Sequence, residues 1–160
     1  MPEDNNKEYI HFNNRIKKYA FLSNDFSCRF MIDNKEYWHL EGYFQSQLFA
    51  KVNEKAENSI RNAFSPITCR KLVSNYGLCP DRREEWVNGL RDEVMMKGLI
   101  TKFVTDSKLS RLLVDTKDSI LVNISEDSYW GVGKDKQGEN KLGILLMAIR
   151  KFLSVMYQKE

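Results

Sequence analysis

The sequence is poor in the residues that break, staple or stretch a chain: 3 prolines, 8 glycines and 3 cysteines among 160 residues. So little proline and glycine excludes a collagen-like or low-complexity protein, and no segment repeats at a fixed period. Cys28, Cys69 and Cys79 are odd in number and widely spaced, with no C-x-x-C pair and only two histidines, His11 and His39, to assist them. That pattern predicts reduced thiols in a cytoplasmic protein and no metal site. Charge of one sign is also scarce. The 25 basic and 22 acidic residues leave a formal charge of +3, too little to define a nucleic-acid stripe, although a local basic pocket for a small anion stays possible. Long hydrophobic runs are missing: nothing approaches the roughly 20 residues of a membrane span, and the N-terminal stretch is too polar for a signal peptide. The expectation is a protein that is neither exported nor membrane-embedded.

What is present is the composition of a packed domain, with 42% hydrophobic, 12% aromatic and 29% charged residues. The length suits one domain with one continuous core. We expect residues 1–18, loose over residues 1–8, to be a polar extension that either stands apart from or forms part of the single domain over residues 19–158. Phe21 to Trp38, with Asp33-Asn34-Lys35 between two short runs, predicts a hairpin. From Glu41 onwards Phe44, Leu48 and Val52 recur every four residues as one helical face, while Glu41 and Gln45 share another. Ser65-Pro66 signals a helix of about two turns. A further helix should follow Pro80-Asp81, the longest in the chain, carrying Trp86, Leu90, Val94, Met95, Leu99 and Phe103 and bent near Gly98. Leu109, Leu112 and Leu113 mark a shorter helix, and Ser119–Ile124 reads as a buried strand. The last helix should present Leu142, Leu145, Leu146, Ile149, Phe152, Leu153 and Met156 as a core stripe. The architecture expected is helix-dominated α+β with a small β component.

Between that strand and the last helix lies a glycine-rich loop, Asp127-Ser-Tyr-Trp130-Gly131-Val-Gly133, continuing through Lys134, Lys136, Gly138, Asn140 and Lys141 to Gly143. Free N–H groups at a helix start, glycines that let the backbone approach, and nearby lysines all favour an anion. The loop is neither a Walker A, because Asp135 follows Gly133-Lys134, nor a G-x-G-x-x-G, because position 136 is Lys. Turn glycines and solvated lysines would produce the same string, so composition leaves both readings open. Glu41 has two readings as well. A carboxylate at a helix start can be a surface partner of the helix dipole. Alternatively, walled by Trp38, Tyr43 and Phe44, it would be desolvated and its pKa raised towards acid/base use. Arg91 and Lys102 can be solvated charges or phosphate ligands, and Trp86 a core residue or a binding surface. No Ser or Cys sits in a nucleophile motif with His39 or His11, so a triad is unsupported.

Four blocks in order resemble the YbiA-like, or NADAR, family over roughly residues 19 to 153. They are Phe21-Leu-Ser23-Asn24; Glu41-Gly-Tyr43-Phe44-Gln45-Ser-Gln47; Trp86 to Met95 followed by Lys102-Phe103; and Asp127 to Gly143 ending in Leu146-Met147-x-x-Arg150. The resemblance implies a single compact α+β domain that hydrolyses N-glycosidic bonds. Its substrates would be phosphorylated early intermediates of riboflavin synthesis, or ADP-ribosyl adducts on guanine. It implies that Glu41 is the essential glutamate, with Asp127 as the second catalytic candidate, and that Trp86, Trp130 and Asn140 lie on or near the pocket. Gly131, Gly133, Tyr43, Arg91 and Lys102 complete the substrate-binding candidates. No cofactor and no metal are implied. The partner is the small phosphorylated ribosyl or ADP-ribosyl substrate, and nucleic acid would enter only as an ADP-ribosylated substrate. The alternative is a non-catalytic module that binds ADP-ribose or an NAD-type nucleotide; a nucleic-acid-binding domain ranks last. Three positions depart from the family pattern. Gly42 stands where His usually follows the glutamate, Leu48 where a Lys is usual, and Ser74-Asn75 near the place of a Gly-Arg.

Overall fold

Turn chemistry and helix caps divide the chain into short elements in the computed structural model, which describes residues 7–158. In order they are β1 (Tyr9–Phe12), β2 (Ser27–Ile32), β3 (Lys35–His39), α1 (Leu40–Gln47), α2 (Glu54–Arg61), α3 (Pro66–Tyr76), α4 (Pro80–Glu85), α5 (Arg91–Thr105), α6 (Ser107–Val114), β4 (Ile120–Asn123) and α7 (Lys141–Tyr157). The described elements are those of a helix-dominated α+β protein. By contact they form two compact units, Asn24–Lys102 and the flanking segments that end at Ser23 and resume at Phe103.

In the Asn24–Lys102 unit, β2 and β3 make the expected hairpin. Asp33 and Asn34 adopt φ of 51° and 62°, the left-handed pair whose twist matches that of the flanking strands. The pairing sets Ile32 opposite Lys35 and Phe30 opposite Tyr37. The chain passes directly into α1, whose start is capped by His39: the imidazole Nδ1 accepts the Gly42 N–H at 2.8 Å. The predicted face of Phe44, Leu48 and Val52 holds only in part. Phe44 and Leu48 are buried, but α1 stops at Gln47 and Val52 is 50% exposed. The stop has a partner in Arg82, which donates to the Gln47 carbonyl at 2.8 Å and to the Leu48 carbonyl at 3.1 Å, satisfying carbonyls that a helix end leaves open. The chain then turns through Lys51 at φ 64° into α2, capped by Asn53, a helix the hydrophobic spacing did not predict.

Pro66 opens α3 as expected. The helix runs for 11 residues, longer than two turns, Ser65 makes no side-chain cap, and the end comes at Gly77 with φ 68°. The helix expected after Pro80 is broken, and not where predicted. Asn88 and Gly89 leave helical geometry, Gly89 with φ 129°, while Gly98 lies within regular α5. Gly98 answers to packing: a Cβ there would lie 2.8 Å from Tyr43 Cδ1 and would also strike Leu40, so its absence lets α5 lie against α1.

In the other unit, β1 pairs with β4 in parallel, Tyr9 opposite Ile120 and Phe12 opposite Asn123. Phe12 and Leu121 are fully buried, so the polar stretch before residue 19 contributes a core strand. Residues 1–6 of the segment expected to be loose lie outside the described residues. Asp106 caps α6 by accepting the N–H groups of Lys108 and Leu109. With 17 residues, α7 is longer than α5, so among the described helices the last, and not the one after Pro80, is the longest. Its Leu142, Leu146, Ile149 and Leu153 face inward, whereas Phe152 and Met156 are 57% and 53% exposed, a narrower core stripe than predicted. Buried Arg150 holds the chain before β4, donating to Thr116 Oγ1 and the Ser119 carbonyl. No helix among the described residues is long and apolar enough to cross a membrane.

Two effects compete at Gly98. Alanine is favoured over glycine in a helix interior by about 1 kcal/mol, but inserting a methyl into a filled contact costs about 1–3 kcal/mol. Gly98→Ala should therefore destabilise the protein in urea titration; a gain in stability would contradict the packing role.

Candidate active site

Glu41 occupies the first turn of α1 yet is only 7% exposed, so the reading as a surface partner of the helix dipole does not describe it. Its N–H donates to the Asn24 carbonyl at 3.0 Å, which ties the start of the helix to the segment before β2. Gln45, one turn on, donates from Nε2 to Glu41 Oε1 at 2.8 Å. Arg70 of α3 places Nη1 3.2 Å from the same oxygen. Arg70 also forks onto Asp25, Nη1 to Oδ1 at 3.0 Å and Nη2 to Oδ2 at 3.1 Å. Both contacts of the Glu41 carboxyl are made by Oε1.

Burial is the largest influence on this carboxyl and pushes its pKa up; the Gln45 hydrogen bond and the Arg70 charge pull it back, and the Asp25 charge adds to the rise. His39, beneath the same turn, is held neutral by burial. Its Nδ1 accepts from Gly42, so the proton sits on Nε2, which faces the Phe64 carbonyl at 3.1 Å. Behind it, burial pushes the Cys69 thiol up to about 11.

The expected aromatic wall around Glu41 is otherwise engaged. Tyr43 projects from a different side of α1, two residues on. At 2% exposure it packs edge-on against Tyr37, centroids 5.1 Å apart. Trp38 stacks on Phe64 at 4.7 Å under the Arg29 guanidinium. Phe44 packs against Trp86 at 4.9 Å, which makes Trp86, 9% exposed, largely a core residue. The contacts of the Glu41 carboxyl are with polar groups, the Gln45 amide and the Arg70 guanidinium. Arg91 is a half-buried residue at the start of α5. Lys102 is 1% exposed, its ammonium 5.6 Å from the Phe26 ring centroid, and burial pushes its pKa down to about 8.

The glycine-rich loop belongs to the other unit, and its hydrogen bonds alter one expectation. Three of the N–H groups anticipated as free at the start of α7 are taken by the loop itself. Asn140, Lys141 and Leu142 donate to the carbonyls of Gly131, Tyr129 and Trp130, and Gly138 and Glu139 to those of Val132 and Ser128. Asn140, at φ 51°, accepts the Asn123 N–H on Oδ1 and donates from Nδ2 to the Leu121 carbonyl, each at 2.9 Å. It therefore fastens the loop to β4 and is buried at 3% exposure. Asp127 Oδ1 accepts the N–H groups of Tyr129 and Trp130 at 2.8 and 2.7 Å, holding the turn that presents half-buried Trp130 edge-on to Tyr129. A Cβ on Gly131 would lie 2.7 Å from that of Ser125. Gly133 takes φ 70°. These glycines satisfy the loop's own folding.

Arg70 and Asp25 escaped the sequence reading, because their contact spans 45 positions and neither lies in a resembling block. Gln45 was within reach, since i and i+4 share a helix face.

The NADAR domain model matches residues 5–154. The chain is 33% identical to the N-glycosidase YbiA of Escherichia coli over 147 residues, covering 91% of this chain and 89% of that protein. It is 32% identical to an N-glycosidase of Nostoc punctiforme, over 89% of this chain and 90% of that one. A riboflavin biosynthesis protein of Vibrio vulnificus is 29% identical over 145 residues, 90% of this chain but 38% of that longer protein. The NMR structure of Escherichia coli YbiA superposes with a TM-score of 0.81 at 30% identity, over 96% of this chain and 89% of that one.

Two outcomes follow. Removing the Asn140 amide leaves the Leu121 carbonyl and the Asn123 N–H buried without it, so Asn140→Ala should cost about 2–4 kcal/mol in urea unfolding; an undiminished midpoint would dismiss the fastening role. For Glu41, a folded pKa above the unfolded one means that the native state holds the proton more tightly, so its stability contribution falls as pH rises through that window. Glu41→Gln does not titrate. Its stability relative to the wild type should become more favourable as pH rises above the ordinary carboxylate range, and a difference that does not change with pH would contradict the burial effect.

Proposed function

The chain belongs to the NADAR family, and we propose that it is an N-glycosidase that hydrolyses the C1′–N bond of a phosphorylated ribosyl-amine or nucleotide-like substrate, with Glu41 activating the attacking water. The substrate class comprises early riboflavin-pathway intermediates or ADP-ribosyl adducts on guanine, each joining a ribose phosphate to a nitrogen leaving group. The observation that carries the reading is the buried carboxylate with one oxygen anchored: Oε1 is held by Gln45 and Arg70, and Oε2 is the oxygen proposed to meet water.

Breaking a C1′–N bond gathers positive charge on the ribose, as in other glycoside cleavages. A carboxylate at C1′ stabilises that charge, more strongly in a desolvated setting than in water. The bond breaks with its electron pair on nitrogen, the water oxygen bonds to C1′, and the proton removed from water passes by way of Glu41 to the departing nitrogen. A carboxyl whose pKa is raised by burial suits both halves of that exchange. The reading rests on the Asn24–Lys102 unit alone.

The test is turnover of a small panel, the amino-pyrimidine ribose phosphates, ADP-ribosylated guanosine and NAD, followed by mass spectrometry. The wild type should release free base and ribose phosphate or ADP-ribose from at least one member, and Glu41→Gln should lose about 10²–10⁴-fold in rate. Turnover by Glu41→Gln at the wild-type rate would remove Glu41 from the chemistry. Calorimetric binding of ADP-ribose with no product from any member would favour the non-catalytic nucleotide-binding module.

A further inference from the structure

We infer that Arg70, gripped by Asp25, is a positioning residue that tunes the charge of Glu41: the shared guanidinium favours the ionised form of the buried carboxyl, and Asp25 limits how much of that positive charge Glu41 receives. This inference rests on the reading of Glu41 as the acid/base group and adds the device that tunes it.

The geometry is that of a cation divided between two acids. Arg70 Nη1 lies 3.0 Å from Asp25 Oδ1 and 3.2 Å from Glu41 Oε1, while Nη2 is committed to Asp25 Oδ2 at 3.1 Å. The fork on Asp25 fixes the plane of the guanidinium, so the edge that reaches Glu41 is aimed rather than mobile. Among the described residues, the remaining groups that act on Glu41 supply no second cation. From α1 come the neutral Gln45 amide and, at the cap, His39, whose Nδ1 is occupied as an acceptor. From α3 comes Cys69, a thiol kept protonated by burial. From the segment before β2 comes the negative Asp25.

A purely structural role fits poorly with the exposures. The Arg70 side chain is 44% exposed and that of Asp25 is 18% exposed, a setting in which an ion pair adds little to folding because water screens it. The Glu41 side chain, at 10% exposure, is where the same charge acts with least screening. The pair therefore matters most to the protonation of Glu41, and its two members act in opposite senses. Removing Arg70 takes away the attraction for the ionised form. Neutralising Asp25 takes away a repulsion and frees more of the guanidinium for Glu41.

The experiment compares Arg70→Gln, Arg70→Lys and Asp25→Asn with the wild type by two measurements. One is the titration of the Glu41 side-chain carboxyl by ¹³C NMR on the whole protein without substrate. The other is the pH dependence of kcat/KM on whichever panel member the wild type cleaves. In Arg70→Gln both the titration midpoint and the acidic limb should move to higher pH, by about one unit or more, with activity recovering at the alkaline end. Asp25→Asn should move both to lower pH, and Arg70→Lys should lie between Arg70→Gln and the wild type. Midpoints that stay in place, or that move in the same direction in Arg70→Gln and Asp25→Asn, overturn the inference. Loss of activity in Glu41→Gln with unmoved limbs in the Arg70 and Asp25 variants overturns it alone, whereas full activity in Glu41→Gln overturns the reading of Glu41 beneath it.

Discussion

A carboxylate taken out of water at the first turn of a helix has to be supported from several directions at once, and the Asn24–Lys102 unit is arranged around that requirement. The backbone of Glu41 is fixed by the Asn24 carbonyl, and the turn beneath it by the His39 imidazole on the Gly42 N–H. The side chain is held by Gln45 from its own helix and by Arg70 from α3. The far end of α1 is fixed by Arg82 on two carbonyls, and one side by α5, which comes close because residue 98 is glycine. Few of these contacts stabilise the fold by much individually. Together they hold one charged group where a less ordered site would let it hydrate or swing out, which is the preorganisation that electrostatic catalysis asks for.

The departures from the family pattern make physical sense in the same frame. A Cβ at residue 42 would lie 3.0 Å from His39 Cε1, so the glycine after the glutamate and the histidine two positions before it occur as a matched pair. The imidazole uses the space that a side chain at 42 would need. Leu48, where a lysine is usual, is buried at the end of α1, and its backbone carbonyl receives Arg82. Ser74-Asn75 simply continue α3 to Tyr76, whose hydroxyl meets Ser59 at 3.0 Å. In each case the local packing is complete without the usual residue.

Much of the fold was legible because its signals are local. The Asp33-Asn34 turn, the Pro66 start of α3, the leucine spacing of α6 and the inward face of α7 are all written within a few residues. Elements set by distant partners were not. The break at Asn88-Gly89 and the regular helix through Gly98 exchange their expected places, since a glycine can serve either a bend or a close approach and only the neighbouring helix decides which. The strand at Tyr9–Phe12 became visible only with its partner at Ile120–Asn123. The site shows the same division. Glu41 and Gln45 lie one turn apart and could be paired on paper, whereas Arg70 and Asp25 meet across 45 positions of chain.

Residues that mark a family therefore need sorting by the hydrogen bonds they make. In the loop before α7, Asp127 and Asn140 look like ligand-binding residues by type, and glycines beside a helix start look like an anion cradle. Asp127 Oδ1 and the Asn140 amide are engaged within the loop and on β4, and Gly131, Gly138 and Gly143 stand where a Cβ would collide. The N–H groups of Asn140, Lys141 and Leu142 at this helix start are therefore not free to bind phosphate as those of other glycine-rich loops do. Glu41 differs in the direction of its imbalance. It is buried at a net cost, and its pKa is raised and only partly restored by its neighbours. A group held against its own solvation is costly for stability alone, and that cost is what singles Glu41 out for the proposed chemistry.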